Sequence, residues 1–279
     1  LNIDVDCAAA AITPRTKAIL PVHYAGVGCD MDALMALAGE HGLAVLEDAA
    51  HAIGASWSGR PLGTFGSLGA LSFHETKNAT CGEGGALLIN DPELVASAEI
   101  LQEKGTNRSA FFRGEVDKYT WVDVGSSFVM SDINAAFLLA QLEHLDEINA
   151  ARTAIWDRYM AGFEALEQGG LARRPIVPER ADHNGHLFYL LLAEDVDREA
   201  AISACKASGV NPVFHYIPLH SSPAGERLGR VSGSLERTDR LSAAVMRLPL
   251  WVGMDDAVVD RVIATVSAAV ADAATVPAR

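Results

Sequence analysis

The chain has 279 residues, enough for a single large α/β domain or for a large domain with a smaller one. Hydrophobic residues make up 49% of the sequence and charged residues 21%, which predicts a sizeable core and excludes a disordered chain. The formal net charge is −14 and no basic stripe offsets it, so nucleic acid is not expected as a partner. An anionic substrate would need a local cluster of cations.

The four cysteines, Cys7, Cys29, Cys81 and Cys205, are widely spaced and form no CxxC pair. This spacing favours reduced thiols in a cytoplasmic protein over a disulfide framework or a zinc site. No signal peptide is visible, and the longest apolar runs, such as residues 187–193, are too short to cross a bilayer. We therefore expect a soluble, cytoplasmic protein without a membrane partner.

The first half of the chain alternates predicted strands and helices. Strands are predicted at 18–24, 43–48, 67–73 and 85–90, and helices at 31–41 and 92–104. In the first helix, apolar residues recur at the spacing of one helical face, and Gly42 is placed to end it. Such alternation predicts a mostly parallel sheet that is covered by helices on both faces.

The second half is predicted to form a smaller α/β unit. Residues 105–130 are typical of a long loop, and a long helix is predicted from 131 to 166. The remaining predicted elements are strands at 186–193 and 210–214 and helices at 197–208, 235–246 and 255–272. We therefore predict a large domain over residues 1–150 and a small domain over 151–279. Because the chain starts at Leu1 in what resembles the middle of a domain, we also expect a segment upstream.

Lys77 stands just past a predicted strand, where α/β folds place ligand-binding residues. A solvated loop lysine is the default interpretation of any single lysine, but its neighbours favour a function. Lys77 is an amine that can form a Schiff base, Ser72 a hydroxyl that can hold phosphate, and Asp48 a carboxylate that can face a pyridinium. Together these groups are the parts of a pyridoxal phosphate (PLP) site. Ser72 alone is weak support.

Asp48 ends a buried strand, and small residues follow it, which leaves room for a flat ring. Its alternative role is that of a turn or capping carboxylate, which is common after a strand. His51 could hydrogen-bond the phenolic oxygen of such a cofactor, and a structural role for this histidine remains nearly as well supported. The Gly84-Gly85 pair is explained by a tight turn alone.

Two further segments are candidates for binding a substrate. The one cation-rich stretch of this acidic chain lies between Lys104 and Lys118, with aromatic residues interleaved, and would suit a diphosphate and a base. A dimer contact or a solvated loop explains it equally well. The second segment is FHYIPLH at residues 214–220, which we interpret as a loop facing the substrate. It lacks the carboxylate or thiol that would complete a zinc site, so no metal is expected.

Several strings resemble the fold-type I, PLP-dependent sugar aminotransferases, which act on nucleotide-linked keto-sugars. The general family pattern is matched by EDAAHA at 47–52, SFHETKN at 72–78 and EGG at 83–85. The branch that makes dTDP-4-amino-4,6-dideoxygalactose is resembled most, through FHETKN at 73–78, EKGTNR at 103–108, DKYTW at 117–121 and FHYIPLH at 214–220. The resemblance covers nearly the whole chain.

This resemblance implies a role for each residue of the cofactor site. Lys77 is implied as the lysine that forms the Schiff base with pyridoxal 5′-phosphate, Asp48 as the partner of the pyridine nitrogen, and Ser72 as a phosphate ligand. His51 occupies a place often held by Gln. Ser127 occupies a place where many relatives carry an Asn that reaches the phosphate in the other subunit of a homodimer.

For the substrates, the resemblance implies contacts from Arg108, His215 and Tyr216. The implied reaction is amino transfer from glutamate to C4 of a dTDP-4-keto-6-deoxyhexose, in polysaccharide biosynthesis such as that of enterobacterial common antigen. Relatives are also expected to carry about a hundred further residues before the point that corresponds to residue 1, a length within the range of a domain. That segment would contact the phosphate and stack an aromatic ring on PLP.

Two rival functions stay open. The first is that of the PLP-dependent deoxysugar 3-dehydratases, which resemble this family but carry His in place of the lysine, so Lys77 speaks against it. The second is a non-catalytic, truncated family member. The expected upstream segment favours that alternative, whereas the intact set of Asp48, Ser72 and Lys77 argues against it.

Overall fold

The computed structural model describes residues 1–274; the predicted small domain extends to 279, and its last five positions lie outside the described residues. The strands are β1 (Ala18–Ile19), β2 (Ala44–Asp48), β3 (Ser56–Trp57), β4 (Arg60–Pro61), β5 (Leu68–Ser72), β6 (Gly85–Ile89), β7 (Ala172–Arg173), β8 (Ala181–Asp182), β9 (Phe188–Leu192) and β10 (Val245–Leu248). The helices are α1 (Val5–Ala11), α2 (Met31–His41), α3 (Val95–Gln102), α4 (Arg108–Phe112), α5 (Asp132–Glu143), α6 (Leu145–Gly162), α7 (Glu164–Gln168), α8 (Arg198–Ala207), α9 (Pro223–Leu228), α10 (Glu236–Ala244) and α11 (Asp256–Asp272). Short 3-10 turns lie at Tyr24–Gly26, Pro92–Leu94 and Leu219–Ser221.

The sheet of the first half has the strand order β1-β2-β5-β6. β1 pairs with β2 and β2 with β5 in parallel, whereas β6 runs antiparallel to β5. The prediction of an α/β fold with a mostly parallel sheet is therefore confirmed. Because β2 and β5 are parallel, their carboxyl ends meet at the same edge, and this edge carries the side chains that follow both strands.

Helix α2 connects the first two parallel strands and covers one face of the sheet. It begins where the Asp30 carboxylate accepts a hydrogen bond from Ala33 N–H (3.1 Å), and it ends at Gly42, whose φ of 63° suits a residue without Cβ. Its apolar side buries Leu34 completely and packs with Val45 of β2. Burial of one such side chain contributes about 1.5–3 kcal/mol to folding.

A second core lies in the later half of the chain. The antiparallel sheet β10-β9-β7 is centred on β9, in which every residue from Phe188 to Leu192 is buried. Helices α6, α8 and α11 pack around it through fully buried side chains such as Tyr159, Cys205 and Val266. The two halves are joined by a third small sheet, in which β3 of the first half pairs with β8 of the second.

Two predicted elements in the middle of the chain differ from the structure. The long helix over 131–166 is interrupted at His144 and again at Phe163, where the backbone leaves helical values (ψ of 17° and 9°). The predicted loop over 105–130 contains the short helix α4. Local periodicity does not reveal such interruptions, because the apolar pattern continues across them.

The end of the chain shows two more corrections. No strand forms over 210–214 in the described part of the chain, where only Val213 makes an isolated bridge, to Arg247. The helix predicted to reach 246 ends at Ala244, and the next residues form β10. This strand exists because it can pair with the buried β9, and such long-range pairing overrides local propensity.

Candidate active site

The described structure brings Asp48, Ser72 and Lys77 to one edge of the first sheet. Asp48 is the last residue of β2 and Ser72 the last of β5, and these strands run in parallel. One carboxylate oxygen of Asp48 accepts a hydrogen bond from Ala50 N–H (3.0 Å), which holds the side chain in a turn. Ser72 Oγ accepts one from His74 N–H (3.4 Å), at the start of the turn that leads to Lys77.

The surroundings of Lys77 favour its neutral amine. Burial lowers the pKa of Lys77 from the ordinary value of a lysine, the charge of Asp48 opposes that shift, and the charge of Arg247 adds to it. The net direction is downward. A lysine with a lowered pKa is a better nucleophile and base at neutral pH. The effect of the Asp48 charge on the pKa of Lys77 also indicates that the two groups lie close to each other.

Glu47 differs from its neighbour Asp48 in role, because successive strand residues point to opposite faces. It is buried, and it accepts hydrogen bonds from His23 Nε2 (3.0 Å) and from the N–H groups of Gly63 (2.7 Å), Phe65 (2.6 Å) and Gly66 (2.8 Å). Burial alone would raise the pKa of Glu47, but these hydrogen bonds outweigh it, and the pKa is lowered. Glu47 therefore anchors the backbone beneath the site and has no oxygen left for a substrate.

His51 lies beside Lys77 as a neutral imidazole. Its Nδ1 accepts a hydrogen bond from Ala25 N–H (3.3 Å), and its ring stacks on that of His186, with centroids 4.2 Å apart. Burial, followed by the charges of Lys77, His215 and Arg247, lowers the pKa of His51 to about 3. The residue is uncharged at neutral pH and can take part in hydrogen bonding only.

A buried amide network holds the Lys77 turn in place. Asn78, the next residue, donates hydrogen bonds from Nδ2 to Asn149 Oδ1 (2.8 Å) and to Asn184 O (2.9 Å), and its Oδ1 lies 2.9 Å from His186 Nδ1. Asn184 Nδ2 in turn donates to His51 O (2.8 Å). A backbone carbonyl can only accept, so the orientation of Asn78 is determined and His186 Nδ1 must donate.

The FHYIPLH loop reaches the same site through His215. The His215 ring lies edge-on to Tyr24, with centroids 5.0 Å apart. Burial, and then the charges of Arg247 and Lys77, lower the pKa of His215 to about 4. Arg247 also donates hydrogen bonds from Nε (3.3 Å) and Nη2 (3.1 Å) to the carbonyl of Phe214. These bonds fix the start of the loop to β10.

Two buried polar atoms at this point have no hydrogen-bond partner among residues 1–274: the Tyr24 hydroxyl and His215 Nδ1. Such atoms are rare in folded proteins, because each costs the free energy of its lost hydration. Both belong to the ring pair beside Lys77. Their donor and acceptor capacity remains available to a bound molecule.

The other predicted substrate residues lie further out. The Tyr216 side chain is 79% exposed, and its carbonyl accepts a hydrogen bond from Ser242 Oγ (3.3 Å). Arg108 pairs with Glu103 (3.1 Å), and Ser127 makes an isolated β-bridge to that same glutamate. In the part of the chain that is described, no hydrogen bond or ion pair joins Arg108 or Ser127 to Lys77, Asp48 or His51.

Sequence reasoning missed Tyr24, His186, Arg247 and the amides. The polar run at 183–186, just before a strongly apolar strand, is a signal for His186 that was available. Arg247 could not be found in this way, because it follows directly on a segment predicted as helix and no strand was predicted there. Its position depends on the pairing of β10 with β9. The Tyr24 hydroxyl is identified only by its burial.

Residues 1–274 contain neither a candidate metal site nor a candidate membrane-spanning helix. No group of three or more His, Cys, Asp or Glu side chains in this range is placed to hold a metal ion. No helix among the described residues combines the length and the apolar character needed to cross a membrane.

The comparisons with known proteins agree with this geometry. The model of the DegT/DnrJ/EryC1/StrS aminotransferase family matches residues 1–267. The spore coat polysaccharide biosynthesis protein SpsC of Bacillus subtilis (strain 168) is 37% identical over 274 residues, which are 95% of this chain and 70% of that protein.

Solved structures show the same architecture. DesV of S. venezuelae superimposes with a TM-score of 0.84 at 35% identity, over 96% of this chain and 69% of that one. The PLP form of the putative sugar aminotransferase Spr1654 of Streptococcus pneumoniae superimposes with a TM-score of 0.84 at 26% identity, over 98% of this chain and 73% of that one. The fold is thus that of the fold-type I sugar aminotransferases. The chain belongs to the DegT/DnrJ/EryC1/StrS aminotransferase family, and it is a sugar aminotransferase whose cofactor is pyridoxal phosphate.

Proposed function

We propose that the chain transfers an amino group from glutamate to C4 of a dTDP-linked 4-keto-6-deoxyhexose, with dTDP-4-amino-4,6-dideoxygalactose as the product. The observation that carries this proposal is the meeting of three elements at one sheet edge. They are the Lys77 amine with its lowered pKa, the Asp48 carboxylate and the FHYIPLH loop with His215. The choice of sugar is supported by the sequences of this loop and of residues 103–108 and 117–121, which resemble those of the branch that makes this product.

The residues present fit pyridoxal phosphate. When bound, this cofactor supplies an electron sink and a carrier for the amino group. Asp48 would keep a proton on its pyridine nitrogen, and Ser72 would donate to its phosphate. The two unpartnered atoms, Tyr24 Oη and His215 Nδ1, give the site hydrogen-bonding capacity that the described protein does not use.

Within the reaction, Lys77 Nζ is the group that takes up and returns a proton. Its lowered pKa suits that task, because efficient proton transfer needs a base whose pKa lies near the operating pH. His51 and His215, both neutral, cannot repel the positive charge of an incoming ammonium group. We propose that His215 and Tyr216 contact the sugar, since their loop borders the Lys77 cluster.

We also propose a homodimer in which Ser127 and Arg108 serve the site of the partner subunit. The segment that carries them exposes an unusual number of large apolar side chains, among them Trp121 (75%), Phe128 (69%) and Ile133 (82%). Apolar surfaces of this kind on soluble proteins are typically covered by another protein surface. Arg108, in the cation-rich stretch, would then meet the diphosphate.

The division into residues 1–150 and 151–279 stands as a further proposal. It is supported by two buried clusters: one is built almost entirely from residues 19–62 and the other from residues 155–270. We place the enzyme in the cytoplasm, since Cys7, Cys29, Cys81 and Cys205 are all free thiols.

The test combines cofactor attachment with product analysis. After incubation with PLP, borohydride reduction should attach the cofactor to the peptide that carries Lys77. With glutamate and dTDP-4-keto-6-deoxyglucose, NMR of the product should show an axial amine at C4. Attachment at another lysine would contradict the site, an equatorial amine would contradict the product, and loss of the 3-hydroxyl without amination would favour the dehydratase alternative. A folded protein that binds PLP but processes no keto-sugar would favour the non-catalytic alternative.

A further inference from the structure

The backbone turn beside the active site has an unusual conformation. In the Tyr24–Gly26 turn, Ala25 adopts φ of 61° and ψ of 15°, the left-handed region that residues with a Cβ atom avoid. Such a conformation is unfavourable in a residue other than glycine, because Cβ comes too close to the following carbonyl oxygen. Ala25 is 4% exposed, so solvent contacts do not explain it. Strain that persists in a packed structure is concentrated at functional sites, which raises the question of what this turn does.

The turn aims one backbone donor at the histidine next to Lys77. Ala25 N–H lies 3.3 Å from His51 Nδ1. A backbone N–H can only donate, so Nδ1 must be the unprotonated nitrogen. A neutral imidazole carries one proton, and in His51 that proton is therefore on Nε2. Nε2 makes no hydrogen bond with the described residues and is not among the buried unpartnered atoms, so it is open to the site.

The surroundings of His51 prevent the ring from turning to another partner. One face stacks on His186 with an interplanar angle of 26°, and the edge of Tyr24 approaches the ring, with centroids 5.9 Å apart. The main chain of His51 is held by Asn184 Nδ2, which donates to its carbonyl at 2.8 Å. Arg247 lies close enough for its positive charge to oppose a second proton on the ring, and Lys77 and His215 add to this effect when they are protonated.

We propose that the Tyr24–Gly26 turn is a positioning element that holds His51 as the tautomer protonated on Nε2, so that His51 presents a hydrogen-bond donor to the Lys77 site. The acceptor is an anionic oxygen of the bound molecule. On the proposed function, on which this assignment rests, it would be the phenolic oxygen of PLP.

Gly26 explains how the turn comes so close. A Cβ atom at this position would lie 2.0 Å from Asn184 Oδ1 and 3.0 Å from His51 O. The φ of Gly26 is 81°, in the left-handed region. Only glycine is therefore compatible with both the backbone conformation and the approach. Gly26→Ala should displace the turn from His51, whereas Ala25→Gly retains the N–H group and removes the strain. These two variants form a matched pair.

The direct test is the tautomer of His51, measured without cofactor. Protein labelled with ¹⁵N-histidine would be examined by long-range ¹⁵N–¹H correlation at neutral pH, with the His51 signals assigned from their absence in His51→Gln. We expect Nδ1 to show a pyridine-type shift and Nε2 a pyrrole-type shift, in the wild-type protein and in Ala25→Gly. Gly26→Ala should give a mixture of both tautomers.

Several results would overturn the proposal. They are a wild-type His51 that is protonated on Nδ1, doubly protonated or a mixture of tautomers, and a folded Gly26→Ala protein that keeps a single Nε2–H tautomer. If Gly26→Ala does not fold, the wild-type spectrum decides. Because no cofactor is present, failure of the proposed amino transfer would leave this result standing, so the two proposals can fail separately.

Discussion

The site around Lys77 and the segment from Arg108 to Phe137 contrast sharply. Around Lys77, buried amides and histidines satisfy one another, and the network from Asn78 to His51 lies within one chain. In the other segment, large apolar side chains such as Trp121 and Phe128 face outward. The first region is held by contacts that the chain makes with itself, whereas the second presents a surface that suits another protein surface.

The largest effect is expected at Lys77. Lys77→Ala should lower turnover by about 10⁴-fold or more, because it removes the amine that we propose to move the proton. The fold should remain intact, since no buried hydrogen bond of the described structure uses the side chain. Steady-state rates and circular dichroism provide the measurement. Lys206→Ala, on the exposed side of α8, is the matched control and should keep normal turnover.

Asp48 is the next test of the same region. Asp48→Asn should lower turnover by several orders of magnitude, because the pyridine nitrogen of the cofactor would lose its charged partner. If the Asp48 carboxylate served only the turn, its replacement would instead lower stability by about 1 kcal/mol and leave turnover unchanged. Asp91 is a close control, since its Oδ1 accepts from the N–H two residues later at 3.0 Å, as Asp48 does. Asp91→Asn should affect stability alone.

The exposed apolar surface of the segment from Arg108 to Phe137 is tested by introducing a charge. Phe128→Asp should weaken the proposed homodimer by about 30-fold or more, as expected for an aromatic anchor at an interface. Sedimentation velocity over a range of concentrations would measure the dissociation constant. Ile176→Asp, at a residue that is 64% exposed elsewhere on the chain, should leave association unchanged. Equal behaviour of both variants would show that the segment is not the interface.

A smaller effect is expected from pH. The folded chain holds the pKa of His51 at about 3, through burial and nearby positive charges, against an ordinary value of 6.5. Between these values the unfolded chain binds a proton that the folded chain rejects, so stability falls as the pH drops from 6.5 towards 3. His51→Gln should make the urea midpoint less dependent on pH in this window. His41→Gln, at the exposed end of α2, should keep the wild-type dependence.

Much of the first half could be predicted from local patterns. Helix α2 has the bounds that its apolar spacing and Gly42 indicate, and the strands that carry Asp48 and Ser72 lie within two residues of their predicted ends. These patterns succeed because amphipathic periodicity and capping act over a few residues. The interruptions at His144 and Phe163 and the strand β10 escaped prediction, because each depends on packing partners far away in the chain.

The amino-acid sequence by itself determined the chemistry: an amine, a carboxylate and a hydroxyl near strand ends, and a loop with two histidines. Tertiary structure decided how these groups behave. It separated Glu47, which accepts hydrogen bonds from one imidazole and three backbone N–H groups, from Asp48 at the end of the same strand. It also brought Arg247 and His186 to the same place from more than a hundred residues away along the chain. The physical reason is that burial and neighbouring charge set the protonation state of a side chain, and both arise only when distant segments pack together.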